Sequence, residues 1–235
     1  MKALKLALLG AVGALAMGGA AQAQEEDSGP VSLSFNVGAA TEYVFRGISQ
    51  TDEEPQIFGG VDATIGSIGY AGVWVSNVEF NNGTELEFDV YGGIKPALGA
   101  ATLDIGFIYY GYTNQPTGPN EDFWEGKLAI SAPAGPATIG AAVFYSPEFF
   151  GETGNATYLE ANAAMPLGDS KFSVSGAVGR QWVEVGVDYT TWNVGLGFAL
   201  TDNIGLDLRY WDTDESDALG YLAEGRVVFG VKATF

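Results

Sequence analysis

The 235-residue chain contains no cysteine and no histidine, and its 10 Lys and Arg residues stand against 29 Asp and Glu. Without cysteine no disulfide staples the chain, so stability has to come from packing and hydrogen bonds. The lack of histidine excludes Ser-His hydrolases, Cys-His enzymes and His-ligated zinc sites, including the lipases and proteases that some membrane barrels house. So few basic residues argue against nucleic acid as a partner. Beyond residue 23 no apolar run is long enough for a transmembrane helix. Two classes are left: a β domain in water, or a barrel that crosses a membrane with strands.

What is present begins with MKALKLALLGAVGALAMGGAAQAQ. Lys2 and Lys5 precede an apolar run from Leu6 to Met17, and Ala21-Gln22-Ala23 is a small-x-small cleavage site, so residues 1–23 read as a secretory signal peptide. Its removal leaves eight basic residues against 29 acidic ones, a net charge of −21. Residues 24–30 (QEEDSGP) are expected to be a periplasmic tail with little structure, followed by one domain over 31–235.

The final stretch, Tyr221 to Phe235, sets the pattern for that domain. Tyr221, Ala223, Gly225, Val227, Phe229, Val231, Ala233 and Phe235 form one row, and Glu224, Arg226, Lys232 and Thr234 fall in the other. The period is two, which is a strand with one apolar face. It ends on the apolar row with an aromatic, like the closing strand of a bacterial outer-membrane barrel, in which Val227, Phe229, Val231 and Phe235 would form the mark read by the insertion machinery. The same alternation recurs from Val31, where Leu33, Phe35, Val37, Ala39, Tyr43 and Phe45 oppose Ser32, Ser34, Asn36, Glu42 and Arg46. About twelve such segments follow one another, joined alternately by longer polar loops (ISQTDEEP, NQPTGPNE, SPEFFGETGN, DTDESDALG) and tight Gly/Pro turns (GSIG, PALG, PAGP, PLGD). This predicts an all-β, antiparallel transmembrane barrel with short periplasmic turns and longer extracellular loops.

Charge placement gives the same answer. Glu42, Asp62, Glu85, Glu87, Asp89, Asp104, Glu125, Glu160, Asp207 and Glu224 all fall on the row opposite the apolar one, as do Arg46, Lys95, Lys127, Lys171, Arg209, Arg226 and Lys232. A charge on the lipid row near the midplane costs about 2–4 kcal/mol, so an uncharged outer row is what a bilayer imposes. Tyr43, Phe45, Tyr109, Trp124, Tyr145, Trp192, Tyr210 and Tyr221 lie on the outer row near the loop end of their segments, where an interfacial girdle is expected. Trp74 is assigned to the lumen.

The stretches TEYVFRGISQ (41–50), GYAGVWVSNV (69–78), ELEFDVYGG (85–93), YYGY (109–112), RYWDTD (209–214) and the closing VVFGVKATF resemble the TorF-type porin family, also called the Gcw_chp family. The resemblance spans nearly all of the mature chain. The FRGIS stretch with the following G-x-W-x-S-N is its most specific part, and Thr41-Glu42 stands where a Ser-Asp pair is expected. It implies an outer-membrane channel and does not supply the solute.

A pore has no catalytic motif, so its working residues are those that line it. The expected lining is Glu42, Arg46, Asp62, Glu85, Glu87, Asp89, Asp104, Glu125, Lys127, Glu160, Asp207, Arg209, Glu224 and Arg226. Glu85, Glu87 and Asp89 form a carboxylate ladder that reads either as a cation-attracting wall or as charges paired with Lys127, Arg209 or Arg226. Arg46 either folds the first loop inward against an acid or caps its strand. The acidic loop 212–217 lacks the glycine and distal glutamate of a calcium loop. No cofactor and no metal are expected. Outer-membrane lipid, lipopolysaccharide, the insertion machinery and small solutes or cations are the expected partners. The leading function is a small-solute channel with cation preference. A closed structural or adhesive barrel is the alternative, and an enzyme using its paired carboxylates as an inverting glycosidase does is a distant third.

Overall fold

A computed structural model describes residues 30–235; the signal-peptide reading and nearly all of the expected tail lie outside the described residues. Twelve long antiparallel strands make the wall: β1 (Val31–Ala40), β2 (Gln56–Ile65), β3 (Gly69–Asn77), β4 (Leu86–Ile94), β5 (Ala101–Thr113), β6 (Phe123–Ala134), β7 (Ala137–Ser146), β8 (Ala156–Pro166), β9 (Phe172–Val183), β10 (Tyr189–Ala199), β11 (Ile204–Thr213) and β12 (Arg226–Thr234). Each pairs with its neighbours in sequence, and β12 pairs with β1, which closes the sheet into a barrel. Closure leaves no strand edge exposed, the condition for backbone to stand in lipid. The connections 66–68, 95–100, 135–136, 167–171 and 200–203 gather at one end, and 41–55, 78–85, 114–122, 147–155, 184–188 and 214–225 at the other, all of these longer than the first set except 184–188.

The outer row is apolar. Leu33, Ile57, Val73, Val90, Leu128, Leu159, Val194, Leu208 and Val227 are all exposed, while the residues alternating with them, apart from Ser32 near the start of β1, turn inward and are buried or half-buried. Such a belt suits hydrocarbon and not water. Inside, a glycine admits a ring where strands crowd: a side chain at Gly38 would stand 2.3 Å from the Phe58 ring, which lies across the inner face of β1.

The chain end is part of the seam. Phe235 and Phe35 exchange both backbone hydrogen bonds, at 2.9 and 3.0 Å, and Phe235 is 70% exposed. Deleting Phe235, or making Phe235→Ser, is expected to leave most of the protein outside the membrane, measured as the barrel fraction that co-sediments with outer membranes. Normal membrane levels would contradict the role of the terminal residue.

Two segments differ from the sequence expectation. β1 ends at Ala40, so Glu42, Tyr43, Phe45 and Arg46 belong to the first loop and not to a strand of the wall; Tyr43 and Phe45 face the interior and are not part of an outer girdle. The last strand begins at Arg226, because Tyr221–Ala223 forms a helical turn after Gly220, whose φ is +86°. Glu224 therefore lies in a loop and is exposed, and so is Glu85, which precedes β4. Trp124, Tyr145, Trp192 and Tyr210 do face outward near the loop end.

Candidate functional site

The site is the barrel interior, and its most distinctive part is the first loop. Residues 44–49 form a miniature hairpin, with Val44–Phe45 paired to Ile48–Ser49 and Arg46-Gly47 at the tip. Both tip residues have positive φ, +49° and +86°, as a two-residue primed turn requires. The tip packs against the loop ends of β10 and β11. A side chain at Gly47 would stand 2.3 Å from Thr191 Oγ1 and 2.7 Å from Thr213, so glycine is what fits while both threonines keep their places.

Arg46 anchors the hairpin across the lumen. Its guanidinium donates to both oxygens of Glu125 on β6, at 2.8 and 2.6 Å, and to Gln181 Oε1 on β9 at 3.0 Å. It also lies over the rings of Tyr158, Phe45 and Phe144, 4.3, 4.6 and 5.0 Å from their centroids. The planar fork suits a bidentate carboxylate partner, and the ring faces favour a cation between them. In a twelve-strand ring β1 stands opposite β7, so a residue of the β1–β2 loop bound to β6 and β9 spans the full width of the barrel.

Around this latch the loop half of the interior is filled. Tyr43, Phe58, Trp74, Ile108, Tyr110, Tyr112, Phe123, Phe144 and Tyr158 form one buried cluster, with Phe45, Phe80, Phe149 and Phe150 packed on it. Tyr110 and Phe123 stack at 4.3 Å, and Tyr43 meets Trp74 edge-on at 5.4 Å. Tyr43 carries a polar tie as well, its hydroxyl donating to Glu87 Oε1 at 2.8 Å. Sequence reasoning did not identify these inward rings as a unit, although it assigned Trp74 to the lumen. The usable signal was the Arg-Gly pair between two short apolar segments.

Toward the turn end the interior is polar and less crowded. Asp104 accepts from Lys127 Nζ at 2.7 Å and from the Tyr70 hydroxyl at 2.7 Å, with Lys95 at 3.9 Å. Asp207 pairs with Arg209 through two bonds of 3.1 Å, and Arg209 also donates to Asn193 and Ser175. Asp62 accepts from Tyr91 at 2.5 Å, and Glu160 accepts from Asn162 at 2.9 Å. At the loop end Arg226 joins Glu42 and lies 3.4 Å from Glu53, tying the first loop to the start of β12. Asp89 is buried beside Glu87, and its Oδ1 has no hydrogen-bond partner. Of the fourteen residues expected to line a lumen, the structure turns twelve inward and leaves Glu85 and Glu224 exposed at the loop end.

At the rim, Asp52 accepts from Asn81 at 2.9 Å and from the Tyr221 hydroxyl, contacts that clip the first, second and last loops together. The bonds from Asn81 and Tyr221 hold the Asp52 carboxyl below the usual carboxylate range. The acidic segment 212–217 is occupied locally: Asp212 accepts from Tyr210 at 2.7 Å, and Asp214 from Thr190 N at 2.6 Å with Arg180 at 3.4 Å.

Among solved structures the chain resembles the KdgM porin (TM-score 0.59, 9% identity, covering 86% of this chain and 99% of that one). It also resembles the NanC porin (TM-score 0.60, 10% identity, 87% and 99%). A third neighbour is the COG4313 outer membrane channel from Pseudomonas putida F1 (TM-score 0.54, 8% identity, 90% and 97%). At these identities the likeness is one of fold. No curated protein is similar enough in sequence to count as a relative. Residues 24–235 match the family described as "Bacterial protein of unknown function (Gcw_chp)", a description that does not carry the TorF-type name. This chain, a closed twelve-strand barrel of porin fold, belongs to the Gcw_chp family.

Proposed function

We propose that the protein is an outer-membrane channel and not an enzyme, exported by its signal peptide, that passes small solutes with a preference for cations when the Arg46 hairpin withdraws from the lumen. One observation carries this reading: a charged inner row stands behind an uncharged outer row along the whole wall. A barrel needing only to be stable gains little from buried ion pairs, because desolvation offsets most of their attraction. A water-filled path makes direct use of them.

Cation preference rests on the balance of that row. Glu42, Asp62, Glu87, Asp89, Asp104, Glu125, Glu160 and Asp207 face Arg46, Lys95, Lys127, Arg209, Arg226 and Lys232, and Glu53, Glu54, Glu85, Asp217 and Glu224 add exposed acid around the loop end. A KdgM structure has been solved with disordered oligogalacturonate, an acidic sugar chain. The acidic excess here supports cations or neutral solutes instead. In planar bilayers under a salt gradient, the reversal potential is expected on the cation-selective side. The triple change Glu85→Gln, Glu87→Gln, Asp89→Asn should reduce it, and the mouth contribution should fade as the Debye length shortens from about 10 Å at 0.1 M to about 3 Å at 1 M salt. Anion selectivity would contradict the proposal.

The filled loop half favours a second reading, a closed structural or adhesive barrel. Tyr110, Ile108 and Gln181 are each no more than 2% exposed in the interior. That reading requires no conductance from the wild type or from any variant that frees the hairpin. In either reading, insertion machinery that reads the last strand, and lipopolysaccharide around the loop end, are the partners the architecture calls for.

A further inference from the structure

Asp89 is the exception among the interior carboxylates of the described residues. Glu42, Asp104, Glu125 and Asp207 have basic partners, and Asp62, Glu87 and Glu160 accept from hydroxyl or amide donors. Asp89 is 2% exposed, and its Oδ1 accepts nothing. The nearby hydroxyl donors are committed elsewhere, that of Tyr43 to Glu87 and that of Tyr110 to Glu125. The charged groups acting on Asp89 are acids, Glu87 two residues back on the same face and Glu125. Arg46 compensates Glu125 alone.

A buried carboxylate beside two others needs a positive charge or a proton. The surroundings have the chemistry of a cation site. In the sheet, Trp74 lies across from Asp89 on one side and Tyr110 on the other. Their ring faces, the Tyr43 and Tyr110 hydroxyl oxygens and the carboxylate oxygens are all donors of electron density. Among the described residues no three acidic side chains converge as a metal-chelating group, so the site suits a singly charged ion better than a chelated divalent one.

We propose that Asp89, assisted by Glu87, binds a small monovalent cation, an alkali-metal ion or ammonium, among the rings of Tyr43, Trp74 and Tyr110. The bound ion completes the charge balance of the loop half and braces the wall against which the first loop packs. The site does not require flow through the barrel: a non-conducting barrel would bind the same ion.

The test uses the full mature chain folded in detergent micelles, at constant ionic strength, with N-methylglucamine chloride replaced stepwise by potassium, sodium or ammonium chloride. Tryptophan emission and the melting temperature are the readouts, since Trp74 flanks the site. At least one of the small cations is expected to give a saturable emission change and a higher melting temperature. Asp89→Asn should raise the half-saturating concentration by about tenfold or more, equivalent to about 1.4 kcal/mol, and Glu87→Gln should raise it less. Asp169→Asn, at the opposite end of the barrel, should leave it unchanged. A wild-type response identical in all four salts, as a proton on Asp89 would give, overturns the proposal. So does an Asp89→Asn barrel that titrates like the wild type. If Asp89→Asn fails to fold, the wild-type salt series and Glu87→Gln still decide.

Discussion

Val231→Arg is expected to cut the membrane-inserted fraction by about tenfold or more. Val231 is the sixth residue of the nine in β12, faces outward, and sits at the closing seam between Leu206 of β11 and Ala39 of β1. An arginine there stands in the outer belt close to its middle, at a cost of about 2–4 kcal/mol, and in the strand whose outer row is proposed to be read on insertion. Lys232→Glu is the matched control one residue on. Lys232 points inward between Gly205 and Gly38, so reversing its charge burdens the interior near Asp62 but leaves the outer belt uncharged, and insertion should stay within about twofold of wild type. The measurement is the heat-modifiable, membrane-associated fraction of each variant at equal expression. Equal losses for the two would contradict the assignment of faces at the seam.

Arg46→Ala has the second largest expected effect, and it acts on the plug while leaving the wall intact. The change removes both bonds to Glu125, the bond to Gln181 and the contacts with three rings, and it leaves Glu125 buried without its cation. Breaking one side of a buried pair typically costs about 3–5 kcal/mol. Here the hairpin can leave instead, letting water reach Glu125, so the loss should appear as plug opening and not as unfolding of the barrel. We expect a several-fold rise in solute flux into proteoliposomes with little change in barrel melting. Arg46→Lys keeps the charge, loses the bidentate fork and should fall between the two. A wild-type flux in Arg46→Ala would show that the hairpin does not limit passage.

The wall was legible in the sequence for a physical reason. Lipid demands an apolar residue at every second position, and a period of two cannot be satisfied by accident over twelve segments, so strands, facing and loop sorting could be read before any coordinates. The ends of β1 and β12 were not legible, and the cause is the same alternation. Tyr43 and Phe45 continue the apolar row of β1 past its end because an aromatic interior selects the same residue types as lipid does. Tyr221 and Glu224 likewise keep phase with β12 while the backbone there makes a helical turn. The only local sign of the inward hairpin is Arg46-Gly47, a pair suited to positive φ at the tip. Its target could not be read at all: Arg46 and Glu125 are 79 residues apart, and their meeting depends on closure placing β6 across from the first loop. The sequence offered two roles for Arg46, and the geometry places it against an acidic partner.

The most direct test of a hairpin-gated channel uses the absence of native cysteine. A side chain at Gly47 would bring its Cβ to 3.0 Å from that of Thr191, and Thr191→Cys removes the hydroxyl that blocks it, so the pair Gly47→Cys and Thr191→Cys needs a displacement of under about 1 Å, with the Thr213 methyl giving way, to reach the spacing of a disulfide. Single-channel recordings of this double variant, oxidised and then reduced on the same bilayer, measure whether the hairpin controls the path. The account predicts silence while the disulfide holds the tip against β10 and cation-selective openings after reduction. Equal conductance in both states, or none in either, would contradict it.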